Sequence, residues 1–146
     1  MKRLIIMTIL VAAAAFGQQE GGGKKAGRQP SQAKVLTVEE FDNLAAKPES
    51  LLIIDVRRPD EVSTIGGFPA YLSIQAKDLE KSLAWIPRDR TIVTVSNHAG
   101  RAGRAADLLA KNGFTVAGAI GAGTYAEAGG KLAIKIQAPP PATAKK

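Results

Sequence analysis

The chain of 146 residues contains no cysteine. That absence excludes thiolate nucleophiles, cysteinyl metal sites, redox pairs and disulfides together. The fold must be held by its core alone. Histidine occurs once, at His98, so a single chain cannot assemble a multi-histidine metal centre. Aromatic residues are few, with one Trp, two Tyr and four Phe, and they form no stacking platform for nucleic-acid bases. No apolar run approaches the roughly 20 residues that a bilayer-spanning helix requires.

Charge of one sign is scarce where it would matter. The formal net charge is +7, yet Val35 to Leu132 holds 11 Lys and Arg against 12 Asp and Glu, a net of −1. The basicity sits in the two ends, at Lys2, Arg3, Lys24, Lys25, Arg28 and Lys34, and again at Lys135, Lys145 and Lys146. A nucleic-acid partner is therefore not expected. Solvated basic ends are the simpler account.

The first 17 residues have the pattern of a secretory signal peptide. Lys2 and Arg3 precede an apolar run from Leu4 to Phe16, and Ala15 and Gly17 are small enough for a cleavage site. Cleavage after Gly17 is expected, giving a periplasmic or secreted protein with no stable membrane span once the signal is removed. Retention of the run as a membrane anchor is the alternative.

Residues 18–33, with Gly21-Gly22-Gly23 and scattered charge, read as a flexible linker. Residues 135–146, carrying Pro139-Pro140-Pro141 and terminal lysines, read as a disordered Pro/Lys tail. The folded domain is expected over residues 34–134.

Within it, strand and helix signals alternate. Thr37 with Glu40 three residues on is a capping-box pattern. It predicts a helix that places Val38, Phe41, Leu44 and Ala45 on one face. Leu51-Leu52-Ile53-Ile54-Asp55-Val56 predicts a strand buried on both faces. A brief strand is expected over Tyr71–Ile74, and a short helix over Asp78–Trp85 with Leu79, Leu83 and Trp85 available to the core. Thr91-Ile92-Val93-Thr94-Val95 predicts a second long strand, followed by a loop and a helix from about Arg101 to Lys111. A third strand is expected at Phe114–Ala117, and a last helix near Thr124–Ala128. This alternation predicts an α/β fold, a small mostly parallel sheet with helices on both faces.

The loop Ser96-Asn97-His98-Ala99-Gly100 and the following Arg101 come between a buried strand and a helix N-terminus. Ligands of open α/β sheets bind at the carboxyl ends of strands, where loop amides and the helix dipole favour an anion. These six residues, Ser96 to Arg101, are the candidate anion or ligand-binding loop.

Here the sequence resembles the rhodanese-like domain family, over Leu51 to about Leu132. Asp55-Val56-Arg57 matches that family's first core strand, and Pro59-Asp60-Glu61 matches its adjoining acidic segment. Gly66-Gly67-Phe68-Pro69-Ala70-Tyr71 is similar to its Gly-His-Ile-Pro-Gly-Ala turn, with Gly67 in place of the histidine. Ser96-Asn97-His98-Ala99-Gly100-Arg101 matches its Cys-x-x-Gly-x-Arg loop, and the helix continues from Ala102 to Leu109. Gly121-Ala122-Gly123 echoes a late Gly-Gly segment, without the usual tryptophan after it.

The resemblance implies a sulfurtransferase fold in which a loop cysteine carries sulfane sulfur as a persulfide. Ser96 stands at the cysteine position, and an oxygen cannot carry a persulfide. Ala99 stands at the loop glycine, with Gly100 beside it. The resemblance also implies that Arg101 orders the loop. Asp55 and Arg57 are expected to support the pocket wall as a charged hydrogen-bond pair.

The resulting expectation is an exported domain inactive as a thiosulfate sulfurtransferase, without cofactor or metal. It would bind a small oxyanion or a protein partner. A serine-based ester or phosphoryl hydrolase, with Ser96 as nucleophile and His98 as base, is a second reading. An interaction protein acting through its tails is a third.

Overall fold

The computed structural model describes residues 30–136. The expected signal peptide, most of the expected linker and residues 137–146 of the expected tail lie outside them, whereas Lys135 and Ile136, expected in that tail, lie against Gly66 and Gly67. Four strands form one parallel sheet in the order β2-β1-β3-β4: β1 at Leu51–Asp55, β2 at Leu72–Ser73, β3 at Thr91–Ser96 and β4 at Val116–Gly121. The helices are α1 (Val38–Ala45), α2 (Pro59–Ile65), α3 (Leu79–Ser82), α4 (Gly100–Lys111) and α5 (Ala122–Glu127). Parallel strands require crossovers, and the helices supply them. Among the described residues no helix is long and apolar enough to cross a membrane.

Strand periodicity sorts the core into two faces. Leu51, Ile53, Val93, Val95 and Ile120 pack with Phe41 of α1 and Tyr125 of α5. Ile54, Val56 and Ile92 pack on the other face with Leu79 of α3, Leu109 of α4 and Phe114. The first face has an aromatic centre, where Phe41, Phe68 and Tyr125 have ring centroids 4.5–5.3 Å apart. The Tyr125 hydroxyl donates to Asp42 at 2.5 Å and accepts the Leu132 N–H at 3.1 Å, which ties α1 to the chain after α5.

The capping box of α1 forms as its sequence predicts. Thr37 Oγ1 accepts the Glu40 N–H at 3.2 Å, and Glu40 Oε2 accepts the Thr37 N–H at 3.1 Å.

Several expectations need correction. The last strand begins two residues later than the expected Phe114–Ala117 and ends four residues later, and Phe114 is a buried core residue ahead of it. The strand continues past Ala117 through Gly118, with φ +155°. A Cβ there would meet the Lys34 carbonyl oxygen at 2.5 Å. Only bare backbone therefore fits there, and Leu36 N–H donates to Ala119 O beside it.

The expected helix over Asp78–Trp85 divides into α3 and a 3-10 turn at Leu83–Trp85. Trp85 is 85% exposed, while Ile86 takes the core position instead. The segment α2, which the sequence marks only as an acidic stretch, is a helix begun by Pro59. At the N-terminal side, the residues expected to end the linker lie against α4. The Ser31 hydroxyl occupies the space a Cβ on Gly103 would fill, and the Gln32 N–H donates to Asp107 at 3.1 Å.

Candidate functional site

The site lies at the carboxyl ends of β1 and β3, where α2 and α4 begin. Val95 pairs with Asp55 across the sheet, so the residues after each strand emerge side by side. Adjacent parallel strands force this proximity; sequence distance does not.

Ser96 is the last residue of β3 and is 2% exposed. Its Oγ accepts the Ala102 N–H at 3.1 Å, so the hydroxyl is turned into the first turn of α4 and away from solvent. Gly100 N–H donates to His98 O at 2.8 Å and Gly103 N–H to Ala99 O at 2.7 Å. Three amides near the start of α4 are thus engaged within the protein. Ala99 has φ +62°, a left-handed conformation that costs a residue with a Cβ about 1–2 kcal/mol. His98 is exposed, and among the described residues no hydrogen bond joins it to Ser96.

Both expected supporting residues are buried. Arg57 is fully buried and Asp55 is 1% exposed. Asp55 Oδ1 accepts the Arg57 N–H and Nε–H, each at 3.0 Å, and Oδ2 accepts Nη2–H at 2.6 Å. A buried pair of this kind persists only when its remaining donors are satisfied, and Arg57 Nη1–H donates to Asn97 Oδ1 at 3.2 Å.

From Asn97 the connection continues to a residue that the sequence marks only as part of an acidic run. Asn97 Nδ2–H donates to Glu61 Oε1 at 3.1 Å. Arg101 Nη1–H and Nη2–H donate to Glu61 Oε2 and Oε1 at 2.8 and 2.5 Å. Glu61 Oε2 also accepts the Arg58 N–H at 3.0 Å, at the start of α2. Arg101, first among these, and the Arg58 amide next hold the Glu61 carboxyl at about 2, below its ordinary 4.5. The available signal for Glu61 is its place three residues after Arg58, a position from which a carboxylate reaches back to the helix start.

Of the candidate loop, Asn97 and Arg101 therefore join the supporting pair in one relay, Asp55, Arg57, Asn97, Glu61, Arg101, while Ser96 and His98 stand outside it. Two cations and two anions cancel. No buried side-chain polar atom among the described residues lacks a partner, and no cluster of three metal-binding side chains occurs among them. Gly67, at the position of the family's histidine, lies against this relay. A Cβ there would stand 3.1 Å from Arg57 Nη2 and 3.0 Å from Ile136 Cδ1, so the bare glycine leaves room for the guanidinium and for Ile136.

The chain matches the family model described as rhodanese-like domain over residues 37–124. No curated protein matches it. Among solved structures, it is similar to a protein of unknown function from Rhodopseudomonas palustris described as a possible tyrosine phosphatase. That match has 24% identity and a TM-score of 0.59, and covers 68% of this chain and 84% of that one. A rhodanese-related protein from Thermoplasma volcanium matches with 19% identity and a TM-score of 0.57, covering 66% and 93%. A single-domain sulfurtransferase from Saccharomyces cerevisiae matches with 21% identity and a TM-score of 0.56, covering 70% and 96%.

Proposed function

The chain belongs to the rhodanese-like domain family, and we propose that it is an exported, non-catalytic member that serves as a partner-binding module. The observation that carries this reading is Ser96. At the position where the family's loop offers a thiol, this chain holds a buried hydroxyl that accepts a hydrogen bond from Ala102 N–H. An oxygen stores no sulfane sulfur, and the chain contains no cysteine elsewhere.

The same geometry favours a protein partner over a small oxyanion. Arg57 and Arg101 both face carboxylates, so neither brings an uncompensated charge to the loop. A serine hydrolase gains no support either, since a serine nucleophile needs an adjacent base and His98 makes no hydrogen bond to Ser96 Oγ among the described residues. Export rests on the N-terminal pattern of Lys2, Arg3 and the apolar run to Phe16; sequencing the N-terminus of protein recovered outside the cytoplasm should find Gln18 first.

Incubation of the purified protein with thiosulfate and cyanide tests the central reading. No thiocyanate should form above the buffer rate. Turnover that disappears in Ser96→Ala would overturn the reading. Titration with sulfate, followed by amide NMR shifts at residues 96–101, should leave those amides unmoved. Saturable shifts there would return the loop to oxyanion binding.

A further inference from the structure

The sheet carries an incompletely paired strand far from the Ser96 loop. All five residues of β1 pair with β3, but β2 reaches only Ile54 and Asp55. Among the described residues, Leu51, Leu52 and Ile53 have no strand on that side. Parallel sheets are normally covered on both faces, and this run of Leu and Ile has the composition of a strand buried in that way. Here Leu52 and Ile53 are only half-buried.

Beside this open edge lies a groove of about 400 Å³. Its floor is apolar, with Phe41, Phe68 and Leu132, and Tyr71 and Leu72 border it. Leu72 remains 37% exposed. The single charged side chain lining the groove is Arg90, which has no ion-pair partner among the described residues. Arg90 immediately precedes Thr91, the partner of Leu51 in the sheet, so its cation marks the Leu51 end of the open edge.

We propose that this edge and groove dock an extended segment of a partner protein, added as a strand antiparallel to β1, with a carboxylate at its C-terminal end facing Arg90. Strand addition uses backbone groups for affinity and pockets for alternate side chains for selectivity, and both are present. Leu51 and Ile53 face the Phe41 side of the sheet, so alternate residues of the added strand enter the groove. The unmatched cation sets the charge of the partner and the direction in which it runs. The groove shares no residue with the loop from Ser96 to Arg101, so strand docking here is independent of what that loop does.

The test uses a fluorescein-labelled short peptide of alternating Val and Thr with a free C-terminus, read by anisotropy. Saturable binding to the wild type is expected. Amidating the peptide's C-terminus, or replacing Arg90 by Ala, should weaken it about five- to tenfold, as loss of a charge-assisted hydrogen bond implies. Methylating the peptide's backbone nitrogens should abolish it, a change that leaves the protein's folding untouched. Absence of binding, or binding indifferent to both Arg90→Ala and backbone methylation, would overturn the proposal. So would sedimentation showing that the wild type dimerises through this edge and that Arg90→Ala is monomeric, because the occupant would then be a second copy.

Discussion

Glu61 and Arg101 meet end to end across the space between α2 and α4, with each carboxylate oxygen receiving one guanidinium N–H. Bidentate pairs of this type fix geometry as well as charge. The two residues are 40 apart in sequence, and their contact joins two helices. Both Glu61→Gln and Arg101→Ala should lower stability, each by about 1–3 kcal/mol, as measured by urea unfolding. A double-mutant cycle should show that the two losses do not add.

Acid should reveal the same contact. The folded-state pKa of Glu61 is depressed to about 2 from 4.5, so its stabilising effect is fully present above the unfolded value. It is lost as pH falls from about 4.5 through about 2. Wild-type stability should therefore decline across that window more steeply than that of Glu61→Gln, with no difference in slope near neutrality. Parallel acid-unfolding curves for the two proteins would contradict the assignment.

Removing Arg57 is a harsher change. It would leave the Asp55 carboxylate buried without its cation, and breaking a buried pair typically costs about 3–5 kcal/mol. Arg57→Ala should fold poorly or unfold at low urea. Arg57→Lys should recover part of the loss but not the bond to Asn97, because an ammonium lacks the planar fork.

Restoring sulfur would report on the loop's electrostatics. In Ser96→Cys the Sγ should receive the Ala102 N–H at the start of α4, which favours a thiolate. The relay already neutralises Arg57 and Arg101, so the thiol should titrate only modestly below its ordinary value. The pH dependence of its alkylation by iodoacetamide measures this. A midpoint above the ordinary value would mean that burial outweighs the helix.

Ala99 offers a gain. Its φ of +62° is one that glycine adopts freely, so Ala99→Gly should raise stability by about 0.5–1 kcal/mol. Thermal unfolding gives the sign directly.

Local pattern carried much of this fold. The capping box at Thr37 and Glu40, the apolar run at Leu51 and the β-branched run at Thr91 each depend on neighbours within a few residues, and each is where its chemistry placed it. The misplacements have tertiary causes. The strand expected to end at Ala117 runs on through Gly118, against which Lys34 packs, and Trp85 reads as core until Ile86 takes its place. The loop at Ser96 was legible from order and spacing; for Glu61 only the local bond to the Arg58 N–H was legible, because its other partners come from the end of β3 and from α4.

What residue identity alone settled is chemical: without sulfur at Ser96 or anywhere else in a side chain reactive as a thiol, persulfide chemistry has no atom to use. Folding settled where charge goes. Only parallel pairing of β1 with β3 brings Asp55, Arg57, Asn97, Glu61 and Arg101 together. Coulombic attraction at hydrogen-bond distance then pairs each cation with a carboxylate, so that the loop expected to favour an anion is flanked by a neutral relay.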